Sequence, residues 1–179
     1  MHEPFTLAVP VGPADHVIEG LAHARVTVVE YGDFECPNCK QAVPALKQLA
    51  AKFKGDVRVV YRHFPLEAVH VHALHAAEAA EGAGAQGRLV PMHDLLFEHQ
   101  RDLKAHHLRA YAEQLELDLA RFDRAMRDHL YLQRIRDHIR GGEESGVRAT
   151  PTFFANGKLA DVSYGIAHLF EAVQEALGA

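Results

Sequence analysis

The chain has 179 residues, enough for one domain with a sizeable core. Hydrophobic residues make up 48% and charged residues 24%, and the net charge is −5; this balance gives no electrostatic basis for holding nucleic acid or an anionic membrane, and no apolar run approaches the roughly 20 residues of a transmembrane helix. Two cysteines are too few for a structural disulfide framework.

The first 20 residues, with His2, Glu3, Asp15 and early prolines, carry no charged-then-apolar signal segment. The chain therefore reads as cytoplasmic, or as periplasmic if a signal peptide has been trimmed. Residues 5–22 are punctuated by Pro and Gly and are expected to wrap the surface. The apolar run from Val26 to Val29 predicts a buried strand over about Arg25–Tyr31. A helix follows from Cys36 to about Lys54, with Pro37 suited to its first turn and Pro44 expected to kink it. Val57–Arg62 is the second strand, opened by the turn Gly55-Asp56.

From about Val69 to Gly146 the pattern is helical. Ala73, Ala76, Ala77 and Ala80 form a stripe for close packing, and the run is expected to stop at Gly82-Ala83-Gly84. Asp118 is placed to cap a later helix, and Gly141-Gly142 to end or loosen the last one. The strand signal returns at Thr152–Ala155, Asn156-Gly157 predicts a type I′ turn, and Lys158–Ala160 is the return strand. A final helix carries Leu169, Phe170, Val173 and Leu177.

Cys36-Pro37-Asn38-Cys39 holds both cysteines of the chain, at the junction of a strand and a helix. There the free backbone N–H groups and the helix dipole stabilise a thiolate. Two sulfurs at this spacing can close into a disulfide and reopen, which is the equipment of a thiol–disulfide oxidoreductase. Zinc sites use the same spacing but need two further ligands, and the nearest histidine in sequence is His63. The 14 histidines show no HExxH spacing; His63 and His93 are candidates for local hydrogen bonding.

With the strand-helix setting of Cys36 and Cys39 and the downstream Thr150-Pro151 before a hairpin and helix, the chain resembles the thioredoxin superfamily. The helical block narrows the resemblance to the DsbA-like branch. Val29–Cys39 looks like that branch's active-site segment, and Tyr61–Leu66, Met92–Phe97 and Thr150–Phe154 look like its bacterial subgroup. The resemblance implies an α/β thioredoxin fold with an inserted all-helical subdomain. In this single domain, residues 23–66 and 147–179 form the thioredoxin part and 67–146 the insertion.

It also implies roles. Cys36 is the exposed nucleophile and Cys39 the buried resolving thiol. Pro151 is a cis-proline beside them, and the Thr150 backbone pairs with an extended substrate segment. Glu30 is a buried acid able to manage the proton of Cys39, while Phe34, Pro37 and Pro151 form an apolar docking surface. Substrates are cysteine-containing proteins or peptides, the redox partner is a thiol such as glutathione or a thioredoxin system, and no cofactor is needed beyond the Cys36–Cys39 disulfide. Asn38 stands where strongly oxidising relatives carry histidine, and Glu35 adds a carboxylate beside Cys36. The Cys36 thiol is thus expected below about 8.5, yet above the roughly 3.5 of the strongest oxidants. A binding or chaperone module, and glutathione-dependent transfer, are the alternatives; Cys39 argues against the latter.

Overall fold

The computed structural model describes residues 5–179; His2 and Glu3 of the N-terminal reading lie outside the described residues. Five strands, β1 (His16–Gly20), β2 (Val26–Gly32), β3 (Val57–His63), β4 (Thr152–Ala155) and β5 (Lys158–Ala160), form one sheet in the order β1-β3-β2-β4-β5. Only β2 and β3 run parallel, joined by the crossover helix α1 (Pro37–Lys52). The chain then passes through α2 (Ala73–Gly84), α3 (Leu89–Glu98), α4 (Ala105–Gln114), α5 (Leu119–Arg127) and α6 (Leu132–Glu144) before β4, and closes with α7 (Ala167–Gly178).

The parallel pair is central and covered on both faces, which explains its nearly continuous apolar runs. Val26, Val28, Val57 and Val59 pack with Leu46 and Leu49 of α1 and Leu169 and Val173 of α7. The alternate residues Val29, Tyr31 and Val60 pack with Phe64 and Phe154 on the opposite face. Side chains of successive strand residues point to opposite faces, so Glu30 falls on the α1 side.

The local signals act as read at Asn156 and Gly157, whose φ angles of 46° and 82° make the primed turn, and at Asp118, which accepts from the Arg121 N–H at 3.0 Å. Helix α1 continues through Pro44. Two expectations need correction. Residues 5–22 are not all surface wrapping: His16–Gly20 is an edge strand antiparallel to β3, anchored mainly by buried Ile18. The stop read at Gly82-Ala83-Gly84 holds, since α2 ends at Gly84; Gly82 is still helical, and a Cβ there would stand 3.3 Å from the Phe122 ring. Gly141 and Gly142 lie inside α6, and a Cβ on Gly142 would meet the Phe64 ring at 2.8 Å. These glycines serve close packing, which overrides their weak helix propensity.

Candidate active site

Strand β2 ends at Gly32, and the next four residues turn the chain into α1. Cys36 is the N-cap, with φ −73° and ψ 119°, and Pro37 opens the helix. A proline costs nothing there, because its missing N–H would have had no helical partner. The two sulfurs are free thiols. Cys39 is fully buried and Cys36 retains 6% exposure, so the expected exposed nucleophile is a nearly covered one. Pro37 and Asn38 are exposed above them.

The chain comes back to this point from the far end of the sequence. The Thr150–Pro151 peptide is cis, and the Cys36 thiol donates to the Thr150 carbonyl at 3.3 Å. An open groove of about 740 Å3 adjoins the pair, lined among others by Asn38, Arg148, Thr150, Pro151 and Ile166.

The two thiols are electrostatically unlike. A hydrogen bond from the Cys39 thiol and the backbone N–H groups of Cys39 and Asn38 outweigh burial and pull Cys36 down to about 5. Burial pushes the Cys39 thiol far up, and its hydrogen bond to Cys36 and the Glu30 carboxylate add to this. Glu30 is 1% exposed; burial, then the Cys36 charge, push its carboxyl up to about 8. Its Oε1 has no hydrogen-bond partner among the described residues.

Two expectations about neighbours are corrected. Glu35 does not crowd Cys36: its carboxylate turns away to accept the His72 N–H at 2.6 Å. Phe34 is not part of a docking surface. It is 1% exposed and packs under the cysteines, its ring 4.9 Å from that of Phe97 and 5.3 Å from that of Tyr61. An aromatic ring of this size is placed by the area it buries.

Further residues hold the active-site turn. Buried Asp33 accepts from the Glu35 N–H at 2.7 Å, the Leu66 N–H at 2.9 Å and His70 Nδ1 at 2.7 Å. Gln100, between α3 and α4, donates from Nε2 to the carbonyls of Phe34 and Cys36, both at 2.8 Å. Asp33 could have been found from its place three residues before Cys36; nothing in the local sequence marks Gln100. His63 pairs with Glu81 at 2.8 Å and His93 with Asp94 at 3.1 Å. No group of three or more His, Cys, Asp or Glu that could hold a metal ion occurs among the described residues.

The thioredoxin family model matches residues 13–175. Among curated proteins, the Na(+)/H(+) antiporter NhaA 1 of Salinispora arenicola is 49% identical over 170 residues, which are 95% of this chain and 26% of that protein. The chain thus spans about a quarter of the length of the curated relatives it matches. Among solved structures, oxidised BdbD from Bacillus subtilis superposes with a TM-score of 0.85 at 21% identity, covering 99% of this chain and 100% of that one. A thioredoxin-like oxidoreductase from Silicibacter pomeroyi gives 0.79 at 27% identity, over 94% and 95% of the two chains.

The cytoplasmic expectation is overturned by a further neighbour, a periplasmic thioredoxin-like protein from Salmonella enterica serovar Typhimurium (TM-score 0.74, 21% identity, 94% and 92% covered). The first 20 residues were a poor guide, because a domain that also occurs as a quarter of a longer protein need not carry its own address. The match over residues 13–175 places this chain in the thioredoxin family, and its solved neighbours, which include DsbA2 from Pseudomonas aeruginosa (TM-score 0.69, 28% identity, 93% and 96% covered), set it among the DsbA-like thiol–disulfide oxidoreductases.

Proposed function

We propose that the chain exchanges disulfides with cysteine-containing proteins or peptides, with Cys36 as the reacting thiol and Cys39 as the resolving one. The observation that carries this reading is the setting of the pair: Cys36 caps α1 beside the cis Thr150–Pro151 peptide, its thiol 3.3 Å from the Thr150 carbonyl, with Cys39 fully buried behind it, and these surroundings pull the Cys36 thiol down to about 5 and push that of Cys39 up. At neutral pH Cys36 is then a thiolate, and Cys39 keeps its proton.

In the oxidising direction a substrate thiolate attacks the Cys36 sulfur of the Cys36–Cys39 disulfide. The S–S bond breaks and Cys39 leaves as a thiolate, which takes a proton from the Glu30 carboxyl. A second substrate thiolate then attacks the substrate sulfur of the mixed disulfide, and Cys36 leaves as a thiolate. A low thiol pKa makes Cys36 a good leaving group and stabilises the reduced protein, so the geometry favours donation of the disulfide. The reverse sequence reduces a substrate disulfide with the same residues. The groove beside Thr150 and Pro151 receives the substrate, whose extended backbone pairs with that of Thr150. In the oxidising direction the reduced pair returns to the disulfide by exchange with a more oxidising disulfide such as oxidised glutathione; in the reverse direction a thiol such as glutathione or a thioredoxin system re-reduces it, and no other cofactor enters.

The transport named for the antiporter relatives is not carried over. No helix among the described residues is long and apolar enough to cross a membrane, and the reading rests on the cysteine site alone. The test is trapping. Cys39→Ser is expected to accumulate a mixed disulfide between Cys36 and a disulfide-containing peptide, and Cys36→Ser to form none. Full exchange activity in Cys36→Ser would overturn the proposal.

A further inference from the structure

Below the cysteines, the sheet face that carries α1 holds a file of polar groups that the exchange steps do not by themselves require. Glu30 of β2 and Tyr61 of β3 are direct register partners across the parallel pair. Their neighbours along each strand, Val28 and Val59, join the core that contains Cys39. Glu30 and Tyr61 therefore stand side by side under the active-site turn, each 1% exposed. A Cβ on Gly32 would lie 2.8 Å from the Tyr61 oxygen, which sets that hydroxyl against the strand end leading to Cys36.

Two residues further along the same face of β3 is His63, also 1% exposed, with its ring 5.5 Å from that of Tyr61. Glu30 Oε1, Tyr61 Oη and His63 Nδ1 all lack a hydrogen-bond partner among the described residues. Native proteins leave few buried polar groups without a partner. Three in succession beside a reacting thiol point to a use. The other nitrogen of His63 is fixed: Nε2 lies 2.8 Å from Glu81 Oε1. Glu81 is also 3.0 Å from His16 Nε2, and the His16 side chain is 24% exposed. Burial works against the Glu81 charge, but His16 and His63 prevail and hold its carboxyl far below the usual range. Glu81 thus joins the His63 ring to that of His16, and the three side chains run from under Tyr61 to the protein surface.

We propose that Tyr61 is a positioning residue for proton movement, its hydroxyl linking Glu30 to His63, with bound water completing the bridges. The proposal rests on Cys39 being the resolving thiol. When Cys39 leaves the disulfide as a thiolate it takes the Glu30 proton. Glu30 takes the hydroxyl proton of Tyr61, and Tyr61 is refilled from His63. His63 regains one proton from solvent at the rim where His16 emerges. The reverse order carries the proton out when Cys39 attacks.

The test is Tyr61→Phe, which deletes one oxygen. Reduction of the Cys36–Cys39 disulfide by dithiothreitol is followed by stopped flow from pH 5 to pH 9. Wild type, Tyr61→Phe, Glu30→Gln and the double variant are compared. The ionisable groups that face Tyr61 are Glu30 from β2, Asp33, Cys36 and Cys39 from the active-site turn and α1, His63 from its own strand and His93 from α3; those that face His63 and Glu81 from α6 are His138, stacked on the His63 ring at 5.5 Å, and Arg134, 3.0 Å from Glu81 Oε1. The titration of the Cys36 thiol, followed by its absorbance, reports whether these have been disturbed.

The relay requires Tyr61→Phe to be slower by about tenfold near neutral pH, below the hundredfold or more of direct acid–base catalysis. Its pH profile is displaced while the Cys36 titration stays in place. The double variant is no slower than Glu30→Gln alone, because both cut one path. A Tyr61→Phe profile that superimposes on wild type overturns the relay, as does a uniform slowing that multiplies with that of Glu30→Gln, the mark of a packing role. If the phenylalanine variant does not fold, 3-fluorotyrosine at position 61 is the second probe. It is expected to displace the profile toward lower pH, and an unmoved profile overturns the relay. Wild type in the same series separates the two readings: an inactive wild type removes the exchange function together with the relay, and an active wild type beside an unaffected variant removes the relay alone.

Discussion

Replacing Glu30 with glutamine is expected to make the reduced protein more stable, although it removes a residue next to the reacting thiols. Glu30 is 1% exposed and its carboxyl is pushed up to about 8 from an ordinary 4.5, by burial first and the Cys36 charge second. Between pH 4.5 and pH 8 the native protein keeps a proton that the unfolded chain releases. Stability therefore falls as pH rises through that window. At pH 7, about 2.5 pH units above the ordinary value, the loss is about 3 kcal/mol at 1.36 kcal/mol per unit. At pH 5 the same reasoning leaves under about 1 kcal/mol. Glutamine has nearly the same shape and no charge to lose, so Glu30→Gln recovers this cost. The assay is urea unfolding of the reduced protein at pH 5 and pH 7, with wild type alongside. The expected result is a gain that grows by about 2 kcal/mol between the two pH values. A variant less stable than wild type at both, or an equal gain at both, would refute the reasoning.

Phe34→Ala is expected to act on the fold rather than on substrate affinity: loss of the ring from the Phe97 and Tyr61 cluster costs about 3–5 kcal/mol, read as a lowered unfolding midpoint with KM for a peptide unchanged. Gln100→Ala frees the Phe34 and Cys36 carbonyls and is expected to cost about 1–3 kcal/mol and to accelerate alkylation of Cys36 as the turn loosens, measured with iodoacetamide; unchanged alkylation and stability would remove Gln100 from the site.

The parts of this molecule that were legible in its sequence are those written in local chemistry. Cys36-Pro37-Asn38-Cys39 carries its own helix start, Asn156-Gly157 its own turn, and Asp118 its own cap. Val26–Val29 and Val57–Val60 announce a covered pair of strands. What stayed hidden depends on partners distant in the chain. β1 has one well-buried residue, Ile18, and becomes a strand only because β3 offers it an edge. Phe34 beside an active-site cysteine looks like a docking residue until the aromatic side chains of β3 and α3 are in place beneath it. The carbonyls that Gln100 serves are more than 60 residues earlier in the chain. Gly142 reads as part of a helix stop because its use, room for the Phe64 ring, is a property of packing.

The central claim is that Cys36 and Cys39 form a redox pair whose reduced state is stabilised by the Cys36 thiolate, and its reduction potential tests this most directly. A thiol at about 5 lies between that of thioredoxin, about 7, and that of DsbA, about 3.5. One pH unit of thiolate stabilisation is about 1.36 kcal/mol, or about 30 mV for two electrons. Working up from about −270 mV for thioredoxin and down from about −120 mV for DsbA brackets the pair between about −210 and −165 mV. Equilibration with glutathione buffers at pH 7 measures it. A value in that interval is the result the account predicts; a value at or below about −270 mV, or two cysteines that form no disulfide with each other, would contradict it.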